Sequence, residues 1–458
     1  MTDQVNALQA IGIPVATINS TTPTAERREI LEDILSGHPR TRLLYVTPEL
    51  CQTEAFRRKL LTVHAQGELN RVAIDEAHCI SEWGHEFRPA YKELSWFKRV
   101  LTSPPVPISA LTATATPRVR KDIIELLGLD TTRLKIFNTP SARPNIHYEV
   151  RYLEDYAEDA GEPESFQVDD LVSWLKSIKA RREARLSADK GSLPPMSGIV
   201  YVPLRQVSER LASVLSASWD GNIRAVAYHA GLPAQDRTRI QLQWSSSRPI
   251  PKTDDPTPAF YIIVATNAFG MGIDNPNVRF VVHWSPPRSF EGFVQESGRA
   301  GRDGCAAASI VYYNTQERDR VLSVIERDVQ RAHERGKMRP PSETQKHQDN
   351  VQNQMARLQS FEKVISYCES TTRCRHELIK EFFGDLELER MGSQVAEEST
   401  VTGTSPCDFA CDFCKEGRGG LAIRKAKMAA EGDGHLIPEE AWMVVSRMLP
   451  HGFMPSLT

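Results

Sequence analysis

At 458 residues, 40% hydrophobic and 25% charged, the chain has material for two or three ordinary globular domains with sizeable cores. Its formal net charge of −3 gives no global field that attracts nucleic acid, so any nucleic-acid site must be a local groove. No apolar run of about eighteen residues occurs, which argues against a membrane span, and the start Met1-Thr2-Asp3-Gln4-Val5-Asn6 lacks the basic-then-apolar pattern of a signal peptide.

In chain order, Asp3 to Ile13 reads as an amphipathic helix closed near Gly12, and Pro14 to Ile18 as a strand. Ala25 to Ser36 is a charged helix with Gly37 as its stop. Leu43-Leu44-Tyr45-Val46 is an apolar strand, with a turn at Thr47-Pro48-Glu49. Arg71-Val72-Ala73-Ile74 is a short buried strand that runs into Asp75-Glu76-Ala77-His78. Ile108 to Thr116 is a further strand and turn; Thr112, Thr114 and Thr116 share one side if the segment stays extended. Such alternation argues a doubly wound α/β domain, whose ligands bind at the carboxyl edge of the sheet. Two adjacent acids there suit a nucleotide-hydrolysing site: one holds Mg²⁺, the other orients or deprotonates an attacking water.

The loop that follows crowds Trp83, His85, Phe87, Arg88 and Tyr91 together. Flat rings beside a guanidinium suit stacking on unpaired bases. Residues 152 to 197 break the α/β rhythm: they begin acidic, continue as a basic helix from Lys176 to Arg185, and end in Gly191-Ser192-Leu193-Pro194-Pro195. They read as the join between two lobes. A second α/β series then starts, with strands at 198–202, 261–265 and 278–283, a strand running into a turn at 225–231, a helix at 207–215, and a Ser/Pro/Asp-rich insertion at 245–257. Gly270 and Gly272, in the run Thr266 to Asp274, let the backbone approach a partner closely. If Gln295 to Gly304 is helical, Gln295, Arg299 and Arg302 line one face and two guanidiniums can reach phosphate oxygens.

The last third is polar and helical, with an exposed or flexible stretch at 331–353 and a helix pair from Phe361 to Phe383. Five of the eight cysteines lie between 368 and 414. Cys407, Cys411 and Cys414 form a short knuckle, and one upstream cysteine completes a four-sulfur site of the structural-zinc kind. Cys374 is preferred to Cys368 as that ligand, with His376 as the alternative. The tail after 415 is glycine-rich and basic, then amphipathic from Pro438 to Leu449.

Taken together, Ile74 to His85, Ala268 to Asp274, Gln295 to Gly304 and the cysteine module resemble the RecQ family of superfamily 2, DEAH-box DNA helicases. The resemblance implies an α/β fold of two RecA-like parallel-sheet lobes, at 1–145 and 146–315, then a helical zinc-binding unit at 316–420 and a tail at 421–458. It implies ATP in the cleft and 3′-to-5′ movement on single-stranded and branched DNA, in repair and recombination in the nucleus. Asp75 and Glu76 would handle Mg²⁺ and water; His78 and the threonines of 112–116 would relay the nucleotide state. Trp83, His85, Phe87 and Arg88 would couple DNA to hydrolysis, and Thr47, Pro48 and Thr266 would lie along the DNA track. Gly272, Asp274, Gln295, Arg299 and Arg302 would serve the nucleotide from the second lobe. Cys374, Cys407, Cys411 and Cys414 would hold Zn²⁺. One departure stands out: no Gly-x-x-x-x-Gly-Lys-Ser/Thr loop occurs, since Gly336-Lys337 is followed by Met338. The chain is therefore expected to lack the phosphate loop through truncation ahead of Met1 and to be a poor ATPase. A non-catalytic nucleic-acid-binding protein and an RNA helicase are the alternatives.

Overall fold

Parallel strands dominate the computed structural model, and they fall into two groups. The structure describes residues 2–83, 87–153, 164–184, 195–245, 258–267, 269–270, 275–337, 344–385, 388, 394–395, 407–408 and 410–429. His85, Gly272 and Asp274 lie outside the described residues, as do most of the insertion expected at 245–257 and the amphipathic tail.

In the first group β1 (Val15–Ile18) pairs in parallel with β2 (Leu43–Val46), and β3 (Val72–Ile74) with β4 (Ile108–Ala110). Their core gathers Ile74, Ala77, Cys79 and Ile80 with Phe56, Tyr91, Phe97, Val119 and Ile123 from the surrounding helices. Three local signals were richer than the sequence reading allowed. Thr47 does not merely open a turn: its hydroxyl accepts from Leu50 N at 3.3 Å and caps a short helix, Pro48–Gln52, with proline at its first position. Thr53 caps the helix Glu54–Ala65 in the same way, and Thr116 caps Pro117–Leu126.

β5 (Phe137–Asn138) leads into β6 (Ile146–Tyr152). The second group is β6, β7 (Met196–Tyr201), β8 (Ile223–Tyr228), β9 (Phe260–Ala265), β10 (Val278–His283) and β11 (Ala307–Tyr313). They form one all-parallel sheet in the order β6-β11-β10-β7-β9-β8. Its central strands are buried on both faces, as parallel sheets require. Ile199 and Ile263 point into one core, Val200 and Val264 into the other. A doubly wound α/β lobe is the result.

The stretch expected to join the lobes lies inside the second one. β6 is already an edge of its sheet, and the helix Glu164–Ala184 packs Val168, Leu171, Val172 and Leu175 onto that sheet. Arg151 fastens the helix by an ion pair of 2.6 Å to Asp170. The basic face of 176–185 had suggested a linker because its apolar stripe lies earlier, between 168 and 175.

The polar stretch expected at 331–353 is largely helical: Thr315–Lys337 and Thr344–Glu369 run through it. The second helix, then Arg375–Phe383 and the cysteine knuckle, join the same core as the sheet face bearing Ile199 and Ile263. The helical unit also grips the first lobe. Arg120 donates to the Phe383 carbonyl at 2.7 Å, and Ser141 bonds the buried Asp385 carboxylate through both its amide and hydroxyl, at 3.0 and 2.9 Å. β12 (Gln394–Val395) pairs with β5 in parallel.

Candidate functional site

β3 delivers Asp75 and Glu76 to the carboxyl end of its strand pair. Asp75 is exposed and Glu76 half-buried. Glu76 takes a left-handed backbone (φ 50°, ψ 44°), which side-chain-bearing residues adopt rarely and mostly where neighbours impose it. Here the amide of Glu76 donates to Asp75 Oδ1 at 3.0 Å, and Ala77 N donates to Leu111 O at 2.9 Å. Tyr91 donates its hydroxyl to the Asp75 carbonyl at 3.1 Å. The reversal lets a single 3₁₀ turn, Ala77–Ile80, bury His78 under the acids.

His78 Nδ1 lies 3.3 Å from Glu76 Oε2 and 3.0 Å from Thr112 Oγ1. Thr112 spends its hydroxyl proton on the Thr114 carbonyl at 3.0 Å, so it accepts from His78, and Nδ1 carries the hydrogen. The acid pair is thus linked through a buried imidazole to the threonine segment. That segment is not one row of hydroxyls: β4 ends at Ala110, Thr112 turns inward to His78, and Thr116 caps the next helix.

The aromatic loop is folded by its own polar groups. The Ser81 hydroxyl donates to Asp122 and accepts from Trp83 N at 3.2 Å. Glu82 pairs with Lys92, whose ammonium stands 5.3 Å from the Phe87 ring centre. Trp83 carries the Arg118 guanidinium over its ring at 5.3 Å. Trp83, Phe87 and Arg88 are half-buried, so faces remain open to a partner. Thr47 and Pro48 are also half-buried, at the start of the short helix Pro48–Gln52.

On the second lobe the expected arginine face does not form. The helix is Phe290–Ser297; Gly298 ends it, and a turn with Gly301 at φ +59° follows. Gln295 is half-buried on the helix, Arg299 is 7% exposed beneath the turn, and Arg302 is exposed beyond it. A Cβ at Gly301 would come within 2.5 Å of Asn145 Nδ2 and 2.7 Å of Cys305 O, so glycine is required there. Arg143 and Asn145 hold the turn by bonds to the Gly301 carbonyl at 2.5 and 2.8 Å. Arg299 Nε is buried without a hydrogen-bond partner among the described residues. Burial pushes the neighbouring Tyr201 phenol up, against the pull of the Arg299 charge. Thr266 is buried, with its amide bonded to Tyr228 O, and presents no open surface in this arrangement.

The sulfurs of Cys374, Cys407, Cys411 and Cys414 all lie within 4.8 Å of one another. Two separations, 3.8 Å for Cys374–Cys411 and 3.5 Å for Cys407–Cys411, lie at and just under the roughly 3.8 Å edge of a tetrahedron with Zn–S bonds of about 2.3 Å. S–H donors from Cys374 and Cys407 push the Cys411 thiol far down, and bonds to Cys374 and Cys411, with burial, push Cys407 up. Four thiols so close cannot all ionise without a cation, and this donor set fits zinc. Cys368 is not part of the cluster; its carbonyl accepts from Tyr152 at 2.7 Å. His376 Nε2 bonds Arg143 O at 3.2 Å.

Two residues beside the cysteines had no assigned role. Arg375 and Asp412, each next in sequence to a cysteine of the cluster, form a fully buried bidentate pair at 2.9 and 3.1 Å. Asp412 also accepts from Val150 N at 3.0 Å, and Tyr148 N donates to Ala410 O at 3.1 Å. The knuckle is therefore stitched to edge strand β6. Opposite charges directly following two ligand cysteines were the available signal.

Three family models match the chain: DEAD/DEAH box helicase over residues 1–123, Helicase conserved C-terminal domain over 191–304, and RecQ zinc-binding over 326–415. The chain is 37% identical over 429 residues to ATP-dependent DNA helicase Q5 of Rattus norvegicus, covering 94% of this chain and 38% of that protein. It is 35% identical over 413 residues to the Mus musculus protein of the same name, covering 90% and 36%. It is 33% identical over 384 residues to RecQ-like DNA helicase BLM of Xenopus laevis, covering 84% and 24%. The chain thus spans little more than a third of the length of the first two relatives and about a quarter of the third.

Proposed function

The chain belongs to the RecQ family of helicases, and from that premise we propose that it is the motor portion of an ATP-dependent 3′-to-5′ DNA helicase of repair and recombination. The observation that carries the reading is the connected group Asp75–Glu76–His78–Thr112 at the end of β3. Bound Mg²⁺–ATP supplies the phosphoanhydride to be broken and the metal that neutralises its charge. Asp75, the exposed acid, is suited to hold the metal; Glu76 is suited to orient and deprotonate the water. His78 stands beside the Glu76 carboxylate and is hydrogen-bonded to the threonine segment, so it is suited to pass a change at one to the other. Arg299 is the second-lobe cation suited to the phosphates, and Arg302 the one open to solvent. Gly272 and Asp274 complete that side of the proposed nucleotide site. Trp83, Phe87, Arg88 and His85 form the proposed platform for unpaired bases, with Thr47 and Pro48 along the strand's path. Zn²⁺ on the four cysteines would fix the knuckle against β6 and contribute folding energy. The proposed partners are single-stranded and branched DNA in the nucleus.

A DNA-binding role without catalysis is the second reading, and the Glu76→Gln comparison separates the two. Fluorescence anisotropy with labelled single-stranded DNA, single-stranded RNA and blunt duplex tests the substrate class. Preference for single-stranded DNA, weakening as salt rises, is expected. Equal or tighter RNA binding overturns the DNA assignment.

A further inference from the structure

The helix Thr344–Glu369 touches both lobes through polar side chains on one of its faces. Asn353 donates its amide to the Glu82 carbonyl at 3.0 Å, inside the aromatic loop. Seven residues on, two turns and about 10 Å along the same face, lies Ser360. Its buried hydroxyl accepts from Phe290 N at 2.8 Å and donates to the buried Glu291 carboxylate. Phe290 and Glu291 begin the helix that ends two residues before Arg299. Its first amide has no intrahelical acceptor, and Ser360 supplies one from another element. Between the two contacts, Ala356 and Leu358 are buried, and Phe361 follows in the core, so the helix is seated along this span.

We propose that this helix is a rigid coupler, with Asn353 and Ser360 as positioning residues that tie the state of the aromatic loop to the placement of the arginine segment. Neither side chain touches the acid pair in the hydrogen bonds just described. Their roles run through Glu82 on one side and through the start of the 290–297 helix on the other. A shift of the loop on strand binding pulls on the Glu82 carbonyl. The seated helix passes that shift to the Phe290 amide and so to the turn that carries Arg299. The proposal rests on the reading of 81–88 as a DNA-contacting loop.

Hydrogen–deuterium exchange of the full chain, with and without single-stranded oligothymidylate, tests it without requiring ATP turnover. The unsubstituted chain should gain protection on DNA binding both at 81–88 and at 290–297. Asn353→Ala and Ser360→Ala should keep the gain at 81–88 and lose it at 290–297. Asn353→Gln and Ser360→Thr, which keep the donor and the hydroxyl, should restore it. A purely structural role would raise exchange at 290–297 equally with and without DNA and leave the difference intact, which would overturn the coupling. Protection at 81–88 with none at 290–297 in the unsubstituted chain would also overturn it. No protection at either segment would refute the loop reading itself, and the coupling with it. Asn353 is only half-buried, so its variants carry the test if Ser360→Ala fails to fold.

Discussion

Asp412→Ala tests how the cysteine knuckle is held. The substitution strands the fully buried Arg375 guanidinium, which also donates to the Tyr367 carbonyl. It also removes the acceptor of Val150 N on β6 and of Phe413 N. Breaking a buried pair by deleting one partner costs about 3–5 kcal/mol, because the remaining charge stays desolvated. At a urea slope of about 3 kcal/mol per molar, the midpoint falls by roughly 1–2 M. The double substitution Arg375→Met with Asp412→Ala removes both charges, and should cost clearly less than the sum of the two single changes. The assay is urea unfolding followed by far-UV circular dichroism and by tryptophan emission; Trp174, Trp219, Trp244 and Trp284 report on the second lobe. A single-site cost under about 1 kcal/mol, or strict additivity in the cycle, would refute the argument that the pair is a desolvated clamp.

Cys411→Ser should lower bound zinc from about one per chain towards none, and lower the thermal midpoint of the second lobe; metal analysis with a melting curve checks both. Trp83→Ala should weaken single-strand binding by about 1–3 kcal/mol if a base stacks on that ring, read by anisotropy. In Asp33, burial opposes ionisation, but bonds from the Thr41 and Arg40 backbone and side chains outweigh it and hold the carboxyl at about 2. A depressed carboxyl stabilises the fold above its unfolded value near 3.8 and loses that contribution as pH falls through about 2. The stability margin of the unsubstituted chain over Asp33→Asn should therefore shrink between pH 4 and pH 2; a margin constant over that window would contradict the assignment.

Elements with a strong apolar period were legible in the sequence. Tyr261 to Ala265 is a continuous apolar run, and Val278 to His283 has Phe280-Val281-Val282 at its centre; both became central strands of the sheet. The cysteine cluster was legible because three of its members lie on one short knuckle and only the fourth had to be chosen. What failed were inferences that extended one geometry too far. The shared face of Gln295, Arg299 and Arg302 required a helix through 302, but Gly298 and a positive-φ Gly301 turn the chain, burying Arg299 and exposing Arg302. The common side of Thr112, Thr114 and Thr116 required an extended segment, but β4 ends at Ala110 and Thr112 turns inward to His78. The basic end of the 164–184 helix masked its apolar start. The links from Asn353 to Glu82 and from Arg120 to Phe383 join residues more than 260 positions apart, and no local pattern signals them.

The most direct measurement is ATP hydrolysis by this chain, with and without single-stranded DNA, beside Glu76→Gln. The account predicts turnover that single-stranded DNA raises and that the glutamine variant abolishes while DNA binding persists. Turnover unchanged in Glu76→Gln would contradict the placing of the hydrolytic water at the end of β3.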